Sequence, residues 1–156
     1  VQLCHKPSSE ITFNSIVHGL FNEPDAIPPG DVLDVGAREG AWACMYACMQ
    51  PTRIVRAVDP SQGMVNGIRC RSPAPNLRKY LSAVSNESGW LSNRSDSSAR
   101  QAVEKGLGNL DFLPVEGTAS SESDVPVRTV DSLVAEWGNP LGFAHLDVEG
   151  FEERAV

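Results

Sequence analysis

The stretch Asp31-Val32-Leu33-Asp34-Val35-Gly36-Ala37-Arg38-Glu39-Gly40 decides how the chain is read. Val32, Leu33 and Val35 form an apolar run that Gly36 stops, which predicts a short buried strand over Asp31 to Val35. Glu39 to Gln50 follows as a helix apolar nearly all round, from Ala41 and Trp42 to Cys48 and Met49, and Pro51 ends it. A strand that turns through glycines into a helix lets a ligand approach the backbone and offers free N–H groups. Those amides suit a carboxylate or phosphate, and Asp34 suits an ammonium. The glycine spacing is Gly-x-x-x-Gly. A dinucleotide fingerprint needs Gly-x-Gly-x-x-Gly, which Ala37-Arg38 breaks; a phosphate loop needs Gly-Lys-Ser/Thr, which Gly40-Ala41-Trp42 denies. A glycine turn kept for structure alone is the competing reading.

Downstream, Ile54 to Val58 predicts a second strand closed by Asp59-Pro60, and Ser61 to Arg71 a weaker helix softened by Gly63 and Gly67. Lys79 to Val84 predicts a third strand. Asp59 stands about twenty residues beyond the glycine turn, where nucleoside-binding open sheets keep an acid for the ribose hydroxyls. A solvated Asp-Pro turn is the alternative. Strands alternating with helices at this spacing imply right-handed βαβ units and a parallel sheet.

Ala144-His145-Leu146-Asp147-Val148-Glu149-Gly150 ends a fourth core strand, Gly142 to Asp147. Alternation puts His145, Asp147 and Glu149 on one side if the strand runs through them. Carboxylates there can accept a proton, anchor an ammonium or hold a divalent ion; capping the next helix is the plainer role. His145 has the most suitable ordinary pKa for a base, about 6.5, although a histidine on an apolar strand is more often a satisfied core residue.

The rest is less informative. Ser9 to Phe21 has helical spacing after a cap at Ser8 or Ser9, and Asn22 to Gly30, with three prolines, is a connecting loop. Residues 86–124, rich in Ser, Gly, Asn and Asp, read as a surface insertion with a short helix at Ala99–Lys105 and a strand at Phe112–Val115. Val125 to Val130 is a further strand, Asp131 to Trp137 a helix, and Phe151 onward the start of another. The chain is thus one partial domain over 1–156: an N-terminal helix and loop (1–28), a βαβαβ unit (29–85), the insertion, and the acidic motif (125–156). A start at Val1 without Met reads as a fragment or a processed chain.

With 41% hydrophobic and 21% charged residues, the composition is that of an ordinary soluble globular protein. No run of about 18 apolar residues exists, so no membrane span is expected. The net charge is −7, and the 13 basic residues are scattered, the densest stretch being Arg69, Arg71, Arg78 and Lys79. A nucleic-acid partner is therefore not expected. Cys4, Cys44, Cys48 and Cys70 show neither a Cys-x-x-Cys pair nor zinc spacing. Cys44 and Cys48 are read as small buried hydrophobes, and no metal is expected. Asn86-Glu87-Ser88 and Asn93-Arg94-Ser95 are glycosylation sequons, meaningful only in a secretory compartment. The cytoplasm is preferred, with the secretory lumen left open.

At this point the chain resembles the FkbM family of methyltransferases, from roughly Pro29 to the C-terminus. The resemblance rests on Val32-Leu-Asp34-Val-Gly36-Ala-Arg-Glu-Gly40, Ala57-Val-Asp59-Pro60, Ala83-Val-Ser85 with Gly89, and Thr129-Val-Asp131-Ser-Leu133 leading to Leu146-Asp147-Val-Glu149-Gly150-Phe-Glu152. It implies a Rossmann-like α/β fold, an open and mainly parallel sheet with helices on both faces, its later strands missing here. It further implies S-adenosylmethionine as cofactor and O-methylation of a hydroxyl on a sugar, glycan or small natural product. By the same resemblance Asp34, Gly36, Ala37 and Gly40 surround the methionine part of the cofactor and Asp59 binds its ribose. Ala83, Val84 and Ser85 lie near the adenine, and Asp147 and Glu149 face methyl transfer. The chain departs from the family at Asp59 (usually Glu), Arg38 (usually Asn) and His145 (usually Lys). The expected chemistry is in-line attack of a hydroxyl on the sulfonium methyl, with Asp147, Glu149 or His145 accepting the proton. A non-catalytic nucleoside-binding or interaction domain is the alternative; an NAD-dependent oxidoreductase is disfavoured by the broken fingerprint.

Overall fold

The computed structural model of the chain describes residues 26–91, 112–113 and 124–148. Its main element is a four-stranded sheet in the order β3-β2-β1-β8, built from β1 (Asp31–Val35), β2 (Val55–Asp59), β3 (Leu77–Leu81) and β8 (Leu141–Leu146). All three pairings are parallel. The two central strands are buried at every position, as expected where both faces of a parallel sheet are covered.

Helix α1 (Ala41–Met49) covers one face. Tyr46, Ala43 and Ala47 pack on Val32, Val55 and Ala57, and Tyr46 is wholly buried. The helix starts two residues later than its apolar pattern suggests because Gly40 takes a left-handed conformation (φ 79°). Helix α2 (Gln62–Gly67) is capped by Ser61, whose hydroxyl accepts the Met64 amide, and stops well short of Arg71. Ile68 leaves the helix with ψ 116° and lies buried beneath α1's start. Helix α3 (Val130–Trp137) covers the opposite face and brings Leu133 onto Leu33, Val35 and Val58. Thr129 caps it by accepting the Ser132 amide, and Gly138 closes it in the left-handed region. The chain is therefore an α/β protein with helices on both sides of a parallel sheet.

Two expectations need correction here. The third strand does not run unbroken from Lys79 to Val84. It divides at Ser82 into β3 and β4 (Ala83–Val84), and β4 belongs to a second sheet, order β4-β7-β5-β6, with β5 (Gly89–Leu91), β6 (Phe112–Leu113) and β7 (Val125–Arg128). Ser82 is buried, its amide donates to Asp59 O, and its hydroxyl bonds to the carbonyls of Ala83 and Pro126. It thus leaves one sheet as it enters the other. The second correction concerns the cysteines. Cys44 and Cys70 form a disulfide, Cys48 is disulfide-bonded too, and neither Cys44 nor Cys48 is a free apolar side chain.

The expected helices at Ser9–Phe21, Ala99–Lys105 and Phe151 onward lie outside the described residues, as does Glu149. Among the described residues, no helix is long and apolar enough to cross a membrane.

Candidate functional site

After β1 the chain builds β2 and β3 on one side of it, then returns to place β8 on the other. The gap beyond the carboxyl ends of β1 and β8 is the sheet's topological switch point, where open α/β sheets hold their ligands. Register sets Asp34 directly opposite His145 there. The two side chains meet on the α1 face, with His145 Nδ1 2.7 Å from Asp34 Oδ1. The Asp34 side chain is 1% exposed and that of His145 11%. Trp42 and Tyr46 from α1 frame the imidazole, their ring centres 5.3 and 6.1 Å away.

Asp34 Oδ2 is buried and has no hydrogen-bond partner among the described residues. Burial pushes the Asp34 carboxyl above its ordinary range. The hydrogen bond and charge of His145 pull it back, helped by the Ala43 amide in the first turn of α1, and the negative charge of Asp147 pushes it up again. Burial, then the charge of Asp34, also raises the Tyr46 phenol, which stays un-ionised. In the tautomer whose Nδ1–H donates to Asp34, Nε2 is the ring nitrogen that can accept a proton.

The two glycines of the turn are accounted for by the chain's own packing. Gly36 has φ 75°, and a Cβ there would sit 1.9 Å from the Asp147 carbonyl oxygen. Gly40 would place a Cβ 2.5 Å from Ile68 Cγ2. Both therefore allow β1, β8 and the segment after α2 to close together, whatever else the turn accommodates. Ala37 is buried, and its amide donates to Val58 O.

Asp59, 5% exposed, accepts the Arg38 amide on Oδ2 and the Ser61 amide on Oδ1, both at 2.8 Å. It ties the glycine turn to the start of α2, and it holds Arg38 in its left-handed conformation (φ 49°). Each oxygen keeps a second acceptor position. Strand β8 ends at Leu146, so strand alternation does not carry through to Asp147 as expected. Asp147 is exposed just beyond the strand, its amide bonded to Val35 O at 3.0 Å. Ala83 and Val84 form β4, which pairs with β7, and Val84 packs among Leu33, Val35, Val58 and Leu133; Ser85 follows, its amide donating to Arg128 O.

One buried charge pair went unread in the sequence. Arg56, in the middle of β2, donates from Nε to Asp31 Oδ2 at 2.7 Å and from a terminal nitrogen to Tyr80 Oη, with its guanidinium 4.4 Å from the Trp137 ring centre. Arginine inside the apolar run Val55–Val58 was the available signal, because a central strand buries charge only when it is paired. The pair lies on the α3 face, across the sheet from Asp34. No group of three or more His, Cys, Asp or Glu able to hold a metal occurs among the described residues. No protein-family model matches the chain, and no curated protein is significantly similar to it.

Proposed function

We propose that the chain is the cofactor-binding part of an S-adenosylmethionine-dependent methyltransferase of the class I, Rossmann-like kind. In this reading it O-methylates a hydroxyl of a sugar, glycan or small natural product. One observation carries the reading: Asp34 and His145 meet at the switch point of a parallel β3-β2-β1-β8 sheet, with one oxygen of a buried carboxylate left without a partner among the described residues. A buried carboxylate oxygen without a donor is costly unless something supplies one. The ammonium of an amino-acid tail is such a donor, and Asp34 has a vacant acceptor for it beside the start of α1. Asp59 also fits, at the end of the second strand, with one acceptor position per oxygen beyond the two amides it holds. Gly36 and Gly40 add no weight, since the chain itself fills the space their missing Cβ atoms leave.

When bound, S-adenosylmethionine supplies a methyl group already activated by its sulfonium. The chain's own work is then to position, to exclude water and to take up a proton. Trp42 and Tyr46 shield the Asp34–His145 pair. Asp34 orients the imidazole and sets its tautomer, so that His145 receives the hydroxyl proton at Nε2. Asp147, exposed at the mouth, supplies a second carboxylate.

Calorimetric titration of the chain with S-adenosylmethionine and with NAD tests the proposal. Binding of S-adenosylmethionine that Asp34→Asn weakens by tenfold or more is expected, with no binding of NAD. Binding of neither ligand favours a non-catalytic interaction domain instead.

A further inference from the structure

We propose that Asn86 carries an N-linked glycan and that the protein matures in an oxidising, glycosylating compartment. The disulfide Cys44–Cys70 closes across α1 and the segment after α2, Cys48 is disulfide-bonded as well, and no cysteine is free among the described residues. Disulfides form and persist in the secretory pathway and outside cells, whereas cytosolic thiols are kept reduced. Of the two compartments the sequence leaves open, the cross-links favour the lumen.

The sequon adds an independent observation. Asn86-Glu87-Ser88 occupies the crossing between β4 and β5, which pair with opposite edges of β7. Backbone bonds fix both ends of this crossing: Ser85 N donates to Arg128 O at 3.0 Å, and Gly89 pairs with Val127. Between these anchors all three sequon residues are exposed. Asn86 Oδ1 accepts the Ser85 hydroxyl at 3.2 Å in an exposed contact, and Glu87 is not the proline that blocks acceptance. A glycan on Nδ2 projects from the rim of the second sheet into solvent and displaces nothing in the core. The second sequon, at Asn93, lies outside the described residues.

The donor is an oligosaccharide carried on a lipid diphosphate. Asn86 Nδ2 forms a bond to the anomeric carbon of its first N-acetylhexosamine, and that carbon's bond to the diphosphate oxygen breaks. The lipid diphosphate leaves with the electron pair, and the amide proton passes to a base of the transferase. The proposal is independent of methyl transfer.

The test uses protein from its native source, digested with an amidase that releases N-glycans in heavy-oxygen water. Mass spectrometry is expected to find residue 86 converted to a heavy-oxygen-labelled aspartate. Maleimide applied to the unfolded, unreduced protein is expected to label none of Cys44, Cys48 and Cys70. In the secreted recombinant chain, Asn86→Gln and Ser88→Ala are each expected to remove one glycan shift on a gel, while Ser88→Thr keeps it. An unmodified Asn86 in the native protein overturns the proposal, and so does labelling of Cys44 and Cys70.

Discussion

His145 Nδ1 lies 2.7 Å from Asp34 Oδ1, joining a half-buried side chain to a buried one 111 residues away in the chain, on the same face of the sheet. The pairing follows from register: β8 lies beside β1 with His145 opposite Asp34, and α1 lays Trp42 and Tyr46 over both. A carboxylate in that place has its charge divided between one bonded oxygen and one orphan.

Replacing His145 by Leu removes the Asp34 side-chain partner and leaves a buried acceptor unmet, at a cost of about 1–3 kcal/mol or more if the carboxylate stays ionised. Replacing both residues by Leu removes the unmet group as well. Urea unfolding of the two single variants and the double variant is expected to show a loss in the double smaller than the two single losses combined. Simple addition of those losses means the contact carries no coupling.

The raised Asp34 pKa makes stability depend on pH in a definite direction. The folded state holds the proton more tightly than the unfolded chain, whose carboxyl titrates near about 3.9. Asp34's contribution is therefore fully present below that value and is lost as pH rises through the higher folded pKa, by no more than about 1.4 kcal/mol per pH unit. Asn at position 34 has no such proton. The unfolding free energy of the native chain minus that of Asp34→Asn is expected to fall with rising pH above about 4, measured as urea midpoints across the acid range. A difference that stays level contradicts the raised pKa.

Asp147 is held by its backbone amide to Val35 while its side chain is exposed, so Asp147→Asn keeps the fold. Under the methyltransferase reading it abolishes turnover. A methyl-transfer assay against hydroxylated glycans and small molecules, beside an unfolding curve, separates the two effects. Unchanged methylation removes Asp147 from the mechanism.

The parts of this fold legible in the sequence are those in which one local signal suffices. β1 and β2 read as strands because Val32, Leu33, Val35, Val55, Ala57 and Val58 cluster between turn residues, and α1 reads as a helix because it is apolar around most of its surface. The helix ending at Trp137 is legible too, but its start is not: the expected strand Val125–Val130 stops at Arg128, because Thr129 caps α3 and Val130 already belongs to it. What stayed hidden depends on partners far along the chain. Ser82 looks like any strand residue until Pro126 and Asp59 are placed around it. Cysteine connectivity does not follow from spacing. His145 read as either a core residue or a base, and it is half-buried with an acid for a partner, one that the sequence had assigned to an ammonium.

The two turn glycines are expected to differ in their tolerance of a side chain. Ala at either position meets the left-handed penalty of about 1–2 kcal/mol. At Gly40 the nearest obstacle is the Ile68 side chain, which can rotate. At Gly36 it is the Asp147 carbonyl, fixed because the same residue's amide is bonded to β1. Gly36→Ala must therefore part β1 from β8, and it is expected to be the more destabilising by chemical denaturation. Equal losses would mean that β8 ends more loosely than its bonds indicate.

The Cys44–Cys70 disulfide closes a loop with a sequence separation of 26, pinning α1 to the segment that carries Ile68 under Gly40. Cross-linking reduces the freedom of the unfolded chain, and a loop of this size contributes about 2–4 kcal/mol. The paired variant Cys44→Ser with Cys70→Ser leaves Cys48 with its own bond, and it is expected to lose stability in that range by urea unfolding. Because Ile68 then has less to hold it against the turn after β1, ligand binding at Asp34 is expected to weaken together with stability. A variant that unfolds at the native midpoint would falsify the stabilising role of the cross-link. A variant that loses stability but binds unchanged would uncouple it from the turn.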